Sequence, residues 1–374
     1  MDKAEFLLLL EKYENGKCTD AERELVELWY LDRIDQSQDI IVTSRELRRA
    51  KRLILDGVLN RRRRALLSSR AIPIAALVAL SFLATYFLVH TKDIFESDGA
   101  KKNQLAIIPG GSHAYLTTAE GQQIVLDRKA NGQITEFDGG RVRKTGNGII
   151  IYELSQTASS HRSTTEVNTI TTPRGGQYEV VLPDGSHAVL NAESKLTFPT
   201  RFDGSDRRVE LEGEGYFEVA KNAAKPFYVV NRQQCLKVIG THFNVSCYNS
   251  SPVVTTLVEG KVEISRPNFS QKTILHPGDQ SITDNQGVRV HQVDTDDALA
   301  WKDGNFVFSQ IELKQALTEI GRWYDLEVDY QSIPASTIEA SMSRSVKIEK
   351  ALSILGKASK LNLKIEGRRI ICMK

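Results

Sequence analysis

Val209-Glu210-Leu211-Glu212-Gly213-Glu214-Gly215-Tyr216-Phe217-Glu218-Val219 (VELEGEGYFEV) alternates with a period of two. Successive side chains of a strand point to opposite faces. Val209, Leu211, Phe217 and Val219 therefore share one face with two glycines, and Glu210, Glu212, Glu214 and Glu218 share the other. Carboxylate pairs also serve glycoside hydrolysis. Acids set opposite a regular apolar face are instead the solvated side of a half-buried strand, which is the reading adopted here.

The same grammar runs outward from about residue 104 to 295. Short runs rich in Val, Ile, Thr, Phe and Tyr are broken by Gly, Asn-Gly, Asp-Gly and Pro-Gly, which predicts strands joined by tight turns. Pro109-Gly110-Gly111-Ser112-His113-Ala114-Tyr115-Leu116 echoes Pro183-Asp184-Gly185-Ser186-His187-Ala188-Val189-Leu190, as expected of repeated β-hairpin units. His113 and His187 occupy matching places in the echo. Without a Cys or acidic ligand at fixed spacing they read as turn-flanking residues rather than metal ligands. The separation of Cys235 and Cys247 suits adjacent strands, so a disulfide between them stands as one reading. Cys372 would be left over, and three cysteines make no disulfide framework, so free thiols stand as the other.

Beyond residue 300 the pattern changes. Asn305 to Phe308 reads as a strand, and Ser309-Gln310-Ile311-Glu312 as a capping box for a helix faced by Leu313, Ala316, Leu317, Ile320 and Tyr324. Leu326 to Tyr330 and Ile338 to Met342 read as strands. Ile348, Ala351, Leu352 and Leu355 line a second helix, and Leu361–Ile365 with Arg369–Cys372 close a hairpin. The order βαβ then βαββ predicts a compact α+β module.

Upstream, Ala71 to Val89 (AIPIAALVALSFLATYFLV) has no charged residue and is long enough to span a bilayer as a helix. Arg61–Arg64 and Arg70 precede it, whereas Lys92 to Lys102 mixes both signs. Excess Lys and Arg stays in the cytoplasm, which predicts a single-pass inner-membrane protein with a cytoplasmic N-terminus and a periplasmic C-terminus. Residues 1–60 read as three short helices, two of them opened by capping boxes at Thr19–Glu22 and Thr43–Glu46. Such a unit has little core. Its apolar faces fit either a small self-contained bundle or a groove offered to a protein partner.

The expected fold class is therefore multidomain. It comprises a small all-α cytoplasmic bundle (1–68), a transmembrane helix (71–90), a β-rich extension (91–163), an all-β domain (164–295) and a C-terminal α+β module (301–374). With 49 basic against 47 acidic residues, no charge excess points to nucleic acid. No Walker loop, dinucleotide fingerprint, HExxH, paired CxxC or nucleophile elbow occurs, so neither an enzyme nor a cofactor or metal is expected.

The chain resembles the FecR family of anti-sigma factors. Leu10-Glu11-Lys12-Tyr13, Asn15-Gly16, Thr19, Glu22 and Trp29-Tyr30 are similar to that family's sigma-binding helices. Thr171-Thr172-Pro173-Arg174-Gly175-Gly176-Gln177-Tyr178, Gly213-Glu214-Gly215-Tyr216-Phe217-Glu218-Val219, Gly240-Thr241-His242-Phe243-Asn244-Val245 and Pro277-Gly278-Asp279-Gln280 are similar to its periplasmic β domain. Trp301-Lys302-Asp303-Gly304 through Arg322-Trp323-Tyr324-Asp325 resembles its C-terminal module, itself like the signalling domain of TonB-dependent receptors. The resemblance implies a relay. An extracytoplasmic-function sigma factor would be held by the N-terminal helices, with Phe6, Leu10, Tyr13, Leu25, Leu28 and Trp29 as candidate contacts. An occupied SusC-like TonB-dependent receptor would be sensed outside, with Trp301, Phe306, Trp323 and Tyr324 as candidates. Regulated proteolysis by periplasmic and intramembrane proteases, ending within the lipid bilayer that the chain spans, would free the sigma factor. The competing reading is a membrane-anchored binder of periplasmic glycan or peptidoglycan.

Overall fold

The computed structural model describes residues 107–155, 166–249, 251–267 and 270–373. Eighteen strands precede the C-terminal module. They are β1 (Tyr115–Thr117), β2 (Gln123–Val125), β3 (Gly132–Phe137), β4 (Gly140–Lys144), β5 (Ile150–Leu154), β6 (Val167–Thr172), β7 (Tyr178–Val181), β8 (His187–Leu190) and β9 (Ser194–Pro199). There follow β10 (Arg207–Glu218), β11 (Phe227–Val230), β12 (Cys235–Val238), β13 (His242–Cys247), β14 (Val253–Glu259), β15 (Val262–Ser265), β16 (Thr273–Leu275), β17 (Asp279–Asp284) and β18 (Gly287–Gln292).

The predicted alternating strand is β10, and it belongs to two sheets at once. Its first half pairs with β9 and, in parallel, with β11. Its second half pairs with β8 and β13. The first sheet runs β2-β1-β6-β9-β10-β11-β12-β15-β16. The second runs β3-β4-β5-β7-β8-β10-β13-β14-β17-β18. The changeover falls at Gly213, whose φ is +89°. A Cβ there would stand 2.4 Å from Ser194 Oγ, so the strand can turn at this point only without a side chain. The apolar face of β10 (Val209, Leu211, Phe217) enters a core with Leu116, Ile170, Leu196 and Phe243. On the other face Glu210, Glu212 and Glu218 are exposed, as expected, but Glu214 is not.

A short helix α1 (Thr295–Leu299), N-capped by the Asp294 carboxylate, leads to the C-terminal module. This comprises β19 (Asn305–Glu312), α2 (Leu313–Tyr324), β20 (Glu327–Val328), β21 (Thr337–Ser343), α3 (Ile348–Ser359), β22 (Asn362–Glu366) and β23 (Arg369–Met373). Strands β19 and β21 form one antiparallel pair, and β20-β23-β22 a second small sheet. The predicted apolar helix faces are buried: Leu313, Ala316, Leu317, Ile320 and Tyr324 on α2, and Ile348, Ala351, Leu352 and Leu355 on α3. The expected capping box at Ser309–Glu312 does not form. Residues 309–312 continue β19 through a bulge, and Ser309 Oγ donates to Asp297 Oδ2 of α1 at 2.6 Å.

The expected fold class needs correction. The described protein is mostly β, with neither an all-α bundle nor a helix long and apolar enough to cross a membrane among the described residues. The sequence segments on which those two elements were placed, 1–68 and 71–90, lie outside the described residues. Cys235 and Cys247 are free thiols. They sit on β12 and β13, which belong to different sheets, so closeness in sequence does not make them strand neighbours. The Pro183–Gly185 half of the echo is the β7–β8 hairpin turn. The Pro109–Gly111 half is no hairpin and instead bridges to Gly176.

Candidate functional site

The densest polar chemistry of the described residues lies where the C-terminal module meets the β unit. Glu214 stands at its centre. Its carboxylate accepts from Asn191 Nδ2 at 2.7 Å and from Asn244 Nδ2 at 3.0 Å. Burial pushes its acidity towards the neutral form, against the pull of those two amides and of Arg322 and Arg344. Alternation alone assigned Glu214 to the solvated face. That face is solvated at Glu210, Glu212 and Glu218, but at Glu214 and Tyr216 packing covers it.

Arg344 follows β21 and supplies the opposing cation. Its guanidinium lies 3.6 Å from the Trp323 ring. Nη2 donates to Asn191 Oδ1 at 2.8 Å, and Nη1 donates to Gln177 Oε1 and to the Trp301 carbonyl, both at 2.9 Å. The arginine is 3% exposed, and burial lowers its pKa to about 10. Arg322, on α2, stacks 3.6 Å over Tyr248 and pairs with Glu193 at 3.2 Å. Planar guanidinium groups suit such stacked, multiply bonded positions better than lysine does. Glu319, also on α2, has its pKa pushed up to about 7, first by burial and then by the charge of Glu214.

A second tie starts from the Thr-Thr-Pro-Arg-Gly-Gly motif. Arg174 Nη2 donates to the carbonyls of Gly321 and Leu326, both at 2.7 Å. Gly175 N donates to the Arg322 carbonyl at 2.8 Å. The turn after β6 therefore adds donors at the C-terminal end of α2, where the Gly321 carbonyl also accepts from the Asp325 and Leu326 N–H groups. Arg174 also pairs with Glu193 and Asp325.

The four aromatic candidates converge on this junction. Trp301 donates from Nε1 to Asn244 Oδ1 at 3.2 Å, and Trp323 from Nε1 to the Arg344 carbonyl at 2.8 Å. Tyr324 donates from its hydroxyl to the Val346 carbonyl at 2.7 Å. Phe306 lies beneath Arg344. All four are buried, none more than 8% exposed; they tie the module to the β unit and shape its core. Phe6, Leu10, Tyr13, Leu25, Leu28 and Trp29 lie outside the described residues. Arg344 was not singled out by sequence, because one arginine in a Ser-rich turn carries no signal. Arg174 sat inside a motif that was.

Beside the junction opens a cleft of about 480 Å³ lined in part by Glu179, His187, Tyr216, Glu218, Lys302 and Trp323. Its rings are mostly covered, Tyr216 at 5% and Trp323 at 7% exposed. A sugar therefore finds no open aromatic face to stack on. His187 pairs with Glu179 and His113 with Asp127, and no metal-binding cluster occurs among the described residues.

The profile of the FecR protein family matches residues 168–263, and that of the FecR C-terminal family matches residues 305–372. Two crystal structures of a proposed anti-sigma factor from Parabacteroides distasonis ATCC 8503, at 2.50 and 1.65 Å, are 28% identical to this chain with a TM-score of 0.52. The first match covers 56% of this chain and 99% of that one, the second 55% and 98%. No curated protein matches.

Proposed function

Since the chain belongs to the FecR family, we propose that it is a regulatory anti-sigma factor that holds an extracytoplasmic-function sigma factor through residues 1–68. The observation that carries this reading is the likeness of 56% of this chain to 99% of the crystallised Parabacteroides chain. An anti-sigma and signalling role follows from that likeness and the family. The finer steps are our reading. The β unit and its module face the periplasm and sense an occupied TonB-dependent receptor, and regulated proteolysis then frees the sigma factor. The buried junction supports this reading, because a module locked to the β unit through Arg174, Arg322 and Arg344 passes a push on one part to the other.

The deciding experiment is affinity capture with the tagged full-length chain from its native cell, followed by mass spectrometry. The expected result is recovery of a sigma factor that is lost in the Leu28→Asp, Trp29→Asp double variant while the β unit stays folded. Capture of glycan fragments with no sigma factor would replace the relay by the anchored-binder reading.

A further inference from the structure

Residues 107–111, which lead into β1, are held from two sides. On one side is the β unit: Gly111 N donates to the Gly175 carbonyl at 2.8 Å, and Gln177 N donates to the Gly111 carbonyl at 2.9 Å. Gly111 and Gly176 thereby form a parallel bridge. On the other side is the C-terminal module. A Cβ on Gly110 would stand 2.6 Å from both the Gly175 carbonyl oxygen and the Trp323 ring, so the backbone lies flush against the indole. Ile107 packs against the module's apolar core, while Ile108 is 68% exposed.

The two sides are not independent. The turn that bonds Gly111 is the one whose Gly175 N donates to Arg322 of α2 and whose Arg174 caps that helix. The ring that covers Gly110 belongs to the next residue of α2, Trp323. One element of the module therefore both covers this strap and steadies its hydrogen-bond partner.

We infer that the C-terminal module locks the Ile107–Gly111 strap, so that moving α2 away opens this segment while the β unit stays folded. A protease must draw several residues of extended backbone into its site, and segments tied by hydrogen bonds and packing are cut only after they open locally. With Trp323 and the Gly175–Gly176 turn in place, the strap is held on both flanks. The inference deepens the proposed relay, on which it rests for its purpose: it specifies how an event at the module reaches the chain leading towards residues 1–68.

The test uses the full-length chain and two variants that attack the lock from opposite sides, Gly110→Val on the strap and Trp323→Ala on α2. Hydrogen–deuterium exchange reads the Gly111 and Gln177 amides, and thermolysin digestion reads cuts at Ile107 and Ile108. The expected result is at least tenfold faster exchange at both amides and new cuts at those residues, with β10–β13 amides as protected as in the parent. Unchanged strap protection in a folded Gly110→Val chain overturns the inference. So does strap exchange that rises only together with β10–β13, since the strap would then open by global unfolding alone. Should Trp323→Ala unfold the module, Gly110→Val decides. A strap that opens in a chain that captures no sigma factor leaves the lock standing and removes the relay; a closed strap in a chain that captures one does the reverse.

Discussion

Glu319 is a carboxyl group that α2 carries into the junction, close to the charge of Glu214 and facing Arg322 and Arg344. Burial is the leading cause of its upward shift to about 7 from an ordinary 4.5, and the arginines oppose it. Between those two values the folded protein keeps a proton that the unfolded chain has released. Stability from this group is thus full below about pH 4.5 and falls as pH rises towards 7. Glu319→Gln removes the titration. We predict that the melting temperature of the variant exceeds that of the parent at pH 8 and matches it near pH 4.5; parallel profiles from pH 4.5 to 8 would rule this out. None of this was legible in the sequence. Glu319 falls on a helix whose apolar face was read correctly, but a period of 3.6 residues does not tell which flank of that face another module covers. The same gap hid Glu214: the alternation placed its side chain on the correct face of the strand, and only tertiary packing covers that face at Glu214 and Tyr216.

Elements fared better, because they are set by local repeats. Strand β10, both long helices and the final hairpin follow from side-chain periodicity and turn residues, which act within a few positions along the chain. What periodicity misses is the exit from one element into the next. Residues 309–312 have the letters of a capping box, yet they extend β19, since pairing with β21 satisfies more backbone groups than a side-chain cap does. Helix ends offer a direct test. Lys360 closes α3 in the left-handed region with φ +59°, where a side chain costs about 1 kcal/mol relative to glycine. It is exposed, and its own N–H caps carbonyls of the last turn, which glycine would preserve. Lys360→Gly is expected to stabilise the protein by about 0.5–1 kcal/mol in urea denaturation. Destabilisation would mean that the lysine side chain makes a contribution larger than its backbone strain.

On the scale of the whole molecule, the described chain is two folded parts joined by the buried Arg344 and the half-buried Arg174. Arg344 alone bonds Gln177, Asn191 and the Trp301 carbonyl, and Arg174 holds the end of α2. Removing Arg344 from its buried network costs about 3–5 kcal/mol, and the more exposed Arg174 less. We predict that the parent melts in a single calorimetric transition and that the Arg174→Ala, Arg344→Ala double variant melts in two, the module first. A single transition in the double variant would show that the apolar contacts of Trp301 and Trp323 suffice to couple the parts.

The position of β10 carries one more consequence. The exposed turn Asp203-Gly204-Ser205 lies just ahead of it, between a strand set that ends at β9 and one that begins with β10. Were the backbone nicked there, the two pieces would still be stitched to each other, since β10 pairs with β9 over Glu210–Glu212 and with β8 over Gly215–Glu218, both from the first piece. Severing the chain and parting the pieces are therefore separate events in this protein. A cut within this unit leaves its halves clasped.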